Sequence, residues 1–175
     1  LQDFSTLADL KKFPYLRELC LNECIVDDNT ALGELTKLEN LKLDGYSIDS
    51  LDRLKNLTAL KSLIIQGAEF EDLQALKELT NMEELRLPNN DIKNIDALEK
   101  MTNLEELILY GNQIKNISAL SKLCKLRVLK LEGNLIEDVE PLLNLKNLEK
   151  LSLGDNPVEN VQLLENLTGT DIDLE

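Results

Sequence analysis

Glu84 and Glu106 lie 22 residues apart in matching contexts, Glu84-Leu85-Arg86-Leu87 and Glu106-Leu107-Ile108-Leu109. If those alternating stretches are neighbouring strands in register, the two carboxylates stand about 5 Å apart. Retaining glycosidases use that separation. Such chemistry also needs a pocket that encloses substrate and raises one carboxyl's pKa. An open strand face offers no such pocket, and Arg86 is placed to screen the pair. The glutamates therefore read as surface charges, not as catalytic acids. Like charges on adjacent strands cost stability, so a cationic group of a binding partner is expected to relieve them.

The remaining reactive side chains point the same way. The chain has no His, and so lacks the commonest general base and neutral metal ligand. Its three cysteines, Cys20, Cys24 and Cys124, cannot form a fully paired disulfide set. Cys20 and Cys24 are expected to point apart, which suits neither a disulfide nor a shared metal, and Cys124 falls in a connecting turn. No phosphate-binding loop, dinucleotide fingerprint or calcium loop is present. No catalytic residue, cofactor or metal is expected. Free thiols suit a reducing compartment, so the expected location is intracellular, cytoplasmic or nuclear. There the three Asn-x-Ser/Thr matches, at Asn56, Asn116 and Asn166, would carry no meaning.

Composition narrows the partners. Nineteen Lys and Arg against 33 Asp and Glu leave a net charge of −14, which repels nucleic acid and anionic lipid alike. No run of 18 apolar residues exists to span a bilayer. The chain opens at Leu1 with neither an initiator methionine nor a basic-then-apolar leader, so it is expected to be a processed piece. Leucine alone supplies 41 of 175 residues.

Those leucines recur with a fixed period. Leu104, Leu107, Leu109, Asn112, Ile114, Ile117, Leu120 and Leu123 are followed 22 residues later by Leu126, Leu129, Leu131, Asn134, Ile136, Val139, Leu142 and Leu145. The register holds back through Met82, Leu60 and Leu38 to Leu16 and forward to Leu148, giving seven repeats over 16–169. The first part of each repeat alternates apolar residues and reads as a strand. Its Asn, present as Asn90, Asn112, Asn134 and Asn156, can serve backbone groups where the chain bends away. Cys24, Tyr46 and Ala68 stand in that slot earlier, so the first half should pack less regularly.

The second part spaces apolar residues by three, as Ile95, Leu98 and Met101, which suits a 3₁₀ turn. Thr30, Asp52, Asp96 and Ser118 read as its N-caps. Asp28, Ser50, Asp72, Asn94, Asn116, Asp138 and Asn160 mark the turn before it, where short polar side chains bond the backbone locally. No repeat can bury its own leucines, so neighbours must stack into a solenoid.

The expected fold is therefore α/β: one domain over 1–175, with a parallel concave sheet and short helical or 3₁₀ convex turns. Residues 1–15 are either a half-repeat cap begun at Ser5 or Thr6 or the cut end of a longer array. Residues 170–175 carry a terminal strand with Ile172 and Leu174 one position out of register. The chain is expected to be monomeric by itself.

Leu16 to Gly169 resembles the leucine-rich-repeat proteins of the short 22-residue class. Asn90-Asp91-Ile92-Lys93-Asn94-Ile95-Asp96-Ala97-Leu98 is the most specific stretch. The resemblance implies a right-handed solenoid that binds proteins on its concave face without catalysis. Within the class, the regulatory leucine-rich-repeat subunit of protein phosphatase-1 is similar, which implies phosphatase regulation. Leu19-Cys20-Leu21-Asn22-Glu23-Cys24 resembles the opening of the acidic leucine-rich nuclear phosphoproteins, which implies a chaperone of basic proteins such as histones. The Leu-Thr-Asn-Leu stretches near Thr80 and Thr102 look like bacterial internalins, which implies surface adhesion.

The residues between the buried strand leucines must face the concave side. The middle row reads Cys20, Lys42, Ile64, Arg86, Ile108, Lys130 and Ser152, alternating cation and isoleucine at its centre. With Pro88, Tyr110 and Val128 it makes an exposed apolar patch, ringed by Glu84, Glu106, Arg86 and Lys130. Apolar centres with charged rims are how protein interfaces are built. Ile64, Glu84, Arg86, Pro88, Glu106, Ile108, Tyr110, Val128 and Lys130 are thus the expected site, and its ligand is another protein. The concave slots nearly balance in charge, so most of the excess acid lies on flanks and turns as a solvated coat.

Overall fold

Apolar residues alternating over five positions and then spaced by three force each 22-residue unit to make one strand and one tight turn. The computed structural model describes residues 8–22, 30–44, 48 and 50–175. Within these, eight strands form one parallel sheet in chain order. They are β1 (Glu18–Asn22), β2 (Asn40–Asp44), β3 (Ser62–Ile65) and β4 (Glu84–Arg86). There follow β5 (Glu106–Ile108), β6 (Val128–Lys130), β7 (Lys150–Ser152) and β8 (Asp171–Asp173). Each strand is answered across the core by a 3₁₀ turn, such as Asp96–Lys100 or Ser118–Lys122.

Register keeps the 22-residue period from β1 to β7, so Leu41, Leu63, Leu85, Leu107, Leu129 and Leu151 stack in one buried row. The terminal strand slips by one, pairing Ile172 with Leu151. Leu174 lies beyond that strand and is exposed, so of the two residues expected in it only Ile172 is there, packed against the core. Gly154 explains how the chain end packs there: a Cβ at this position would sit 1.8 Å from the Glu175 carbonyl oxygen. At the other end Phe13 occupies the slot of buried Leu35 yet is 56% exposed. Ser5 and Thr6, the proposed starts of a cap, lie outside the described residues, as do Cys24, Tyr46 and Asp28.

The asparagines form a ladder through the bend. Asn112 donates to the carbonyls of Leu87 and Leu109 and accepts the N–H of Ile92. Asn134 donates to Leu109 and Leu131 and accepts the N–H of Ile114. Each carbonyl is thus shared by two asparagines, whereas each N–H has one acceptor. Ala68 cannot act in this way, though its own N–H reaches Asn90 Oδ1 at 3.0 Å.

Replacing Asn134 by Ala should therefore orphan the Ile114 N–H and remove three donated bonds, the longest to Glu132, costing about 2–4 kcal/mol. Asn156→Ala should cost less, since Asn156 is only partly buried and water can reach its partners. Denaturant midpoints of the two variants check this, and equal losses would contradict the ladder.

The caps differ from expectation. Asp96 and Ser118 are first residues of their turns, and Asp52 is a second residue; none is a cap. The cap position belongs to Ile95, Ile117 or Val139, whose side chains are core. A polar residue one step earlier does the capping. Asn94, Asn116 and Asp138 accept the N–H two residues on, at 2.7–2.9 Å. Asp72 does likewise, whereas Ser50 is itself the cap of its turn and accepts the N–H of Asp52. Asn160 instead accepts the Val139 N–H of the preceding repeat.

Candidate functional site

The sheet's open face is built from three residues per strand that point away from the leucine core. Register places Ile64, Arg86 and Ile108 side by side on β3, β4 and β5. Glu84, Glu106 and Val128 adjoin on β4, β5 and β6. Ile64, Arg86, Ile108, Tyr110, Val128 and Lys130 are all half-buried, as a row of side chains leaning on its neighbours should be. The sequence thus located eight of the nine expected residues on an accessible face. Pro88 is the exception: it is buried. It lies between Gln66 and Tyr110, which hold the equivalent slots of adjacent repeats. Its missing N–H costs nothing toward β5, because Leu87 and Asn89 make those bonds.

Glu84 and Glu106 are direct neighbours, as their spacing required. Arg86 bridges them, with Nε 2.6 Å from Glu84 Oε1 and Nη2 2.9 Å from Glu106 Oε1. The Ser62 hydroxyl donates to the second oxygen of Glu84 at 2.5 Å. The repulsion between the glutamates is therefore relieved inside the chain. Arg86 does the screening that its place in the sequence suggested, so a partner's cation is not needed for it.

Beside the bridge lies a hollow of about 180 Å³. Ile64, Pro88 and Ile108 give it apolar walls. Lys42, Gln66, Arg86 and Tyr110 form the rest of its lining, with Leu43 of the core adjoining. Gln66 was not singled out from the sequence; the signal was its position, two residues beyond Ile64 on the same face. Elsewhere, the flanks carry paired charge. Arg127 holds Glu149 by two bonds of 2.9 and 3.1 Å, which keeps that carboxyl below its ordinary pKa. Lys61 and Arg17 do the same for Glu39. Cys20 and Cys124 are both exposed, on β1 and in a turn respectively.

A model of leucine-rich repeats (two copies) matches residues 80–122 and again 124–166. Internalin C2 of Listeria monocytogenes is 31% identical, with a TM-score of 0.94 over 99% of this chain and 77% of that one. The chain belongs to the leucine-rich-repeat family. A second Listeria monocytogenes internalin (inlF) aligns over 98% of this leucine-rich-repeat chain and 51% of its own, at 29% identity and TM-score 0.89. The ectodomain of the plant membrane receptor kinase GASSHO1/SCHENGEN3 from Arabidopsis thaliana is 25% identical, with TM-score 0.76. This match covers 89% of the leucine-rich-repeat chain and 20% of that one, whose structure is a complex with Casparian strip integrity factor 2. Among curated proteins none matches at a significant level.

Proposed function

We propose that the chain is a non-enzymatic scaffold that captures a partner protein on its concave sheet, centred on β3 to β6. The observation that carries this reading is the run of half-buried Ile64, Ile108, Tyr110 and Val128 around the ion bridge of Arg86 with Glu84 and Glu106. Ions paired within the chain cost less to cover with a partner's apolar surface than isolated charges do. The receptor ectodomain in complex with Casparian strip integrity factor 2 supports the reading by example. Against an acid–base role, Arg86 occupies the space between the two glutamates, and their side chains are 26% and 28% exposed.

Two finer roles follow from different observations. The near-complete alignment with two internalins favours adhesion at a bacterial surface. The exposed thiol of Cys124 favours a reducing, intracellular setting, where a phosphatase regulator or histone chaperone would act. A membrane-impermeant maleimide applied to intact cells separates them: labelling of Cys124 supports the surface role, and labelling only after lysis supports the intracellular one. Capture of partner from native lysate should survive high salt if the apolar centre dominates. Steep loss with salt would instead favour an acidic chaperone of basic proteins.

A further inference from the structure

We propose that the hollow beside Arg86 is a receptor for one aromatic side chain of the partner, with the Arg86 guanidinium as its planar contact. The proposal rests on the concave-face reading and adds what must enter there. Glu84 Oε1 lies 2.6 Å from Nε and Glu106 Oε1 2.9 Å from Nη2, so two carboxylates on neighbouring strands hold the guanidinium at the edge of the hollow. A lysine at this position would offer a point charge and no plane. Ile64 and Ile108 stand on either side in register, and Pro88 adds to the walls. The volume of about 180 Å³ is below the roughly 300 Å³ at which small-molecule pockets begin, yet suits a single side chain.

Charge selects what kind of side chain. A carboxylate entering the hollow would meet the field of Glu84 and Glu106, and any charged side chain would give up its hydration against Ile64, Pro88 and Ile108. A neutral aromatic ring meets neither penalty. The negative face of its quadrupole lies favourably over the guanidinium, and its edges fill the isoleucine walls. An aliphatic side chain would use the walls and leave the guanidinium idle.

The test is a 12-residue peptide display library panned on the wild-type protein. The selected peptides should share one fixed Phe, Tyr or Trp. Changing that ring to Leu in a synthetic copy should weaken binding roughly tenfold. Arg86→Lys should weaken the aromatic peptide by about the same factor and leave the Leu copy unchanged. Ile108→Ala, which leaves the bridge intact, should weaken both. Selected peptides without an aromatic residue, an empty selection, or unchanged binding to R86K would each overturn the proposal. If such aromatic-free peptides still lose binding with Ile108→Glu, the concave-face reading stands while this one falls. Binding insensitive to Arg86 and Ile108 alike would place the peptides elsewhere and remove both.

Discussion

Leu107→Ala is expected to cost about 2–5 kcal/mol, the range for truncating a large buried side chain. Leu107 is 0% exposed and stands between Leu85 and Leu129 in the central row of the sheet. A cavity there cannot be filled from one side without disturbing the other, because each repeat packs only on its neighbours. The loss should appear as a lowered urea midpoint at unchanged slope. Leu135→Ala provides the contrast: Leu135 is 51% exposed, and its truncation should stay within about 0.5 kcal/mol. A Leu107→Ala effect as small as that would mean the strand register is wrong.

Most of the fold was legible because a solenoid converts period directly into position. Leu85, Leu107 and Leu129 fell into one slot in the sequence and lie in one row in space. The bend asparagines were legible for the same reason, since a buried amide at a fixed slot has only backbone to serve. The caps were not. Ser118 and Asp96 have the right side chains for N-caps, but burial of Ile117 and Ile95 takes that position for the core and moves capping to Asn116 and Asn94. Propensity yielded to packing.

One recurrent feature went unread. The residue before the asparagine slot has a left-handed backbone in repeat after repeat, at Gly67, Asn89, Gly111, Gly133 and Asp155. Glycine, asparagine and aspartate all tolerate that conformation, and their recurrence was the available signal. At Gly111 a second constraint applies, because a Cβ would come within 2.4 Å of Asn89 Oδ1. The candidate site was legible in outline and not in depth. Slot position says which residues share a face with Pro88, but not that Pro88 itself is buried. The hollow, likewise, exists only where β2 to β5 contribute side chains together.

The concave-face account predicts that Ile108→Glu combined with Tyr110→Ala abolishes partner capture. Apolar and tyrosine anchors near the centre of an interface each contribute about 2 kcal/mol or more, so affinity should fall at least about 100-fold. Both side chains are only half-buried in the free chain, and neither belongs to the leucine core. Their replacement should therefore shift thermal unfolding by no more than about 3 °C. Because Ile108→Glu sets a carboxylate opposite Arg86 in register, Ile108→Ala with Tyr110→Ala, which leaves the pairing of Arg86 with Glu84 and Glu106 in place, is run beside it and should also weaken capture. The decisive measurement sets immobilised wild-type protein and the double variant against the same native lysate, quantifies retained protein by mass spectrometry, and records both melting curves. Loss of the retained partner at near-constant melting temperature is the predicted result; equal retention by the folded variant would contradict the concave face as the binding surface.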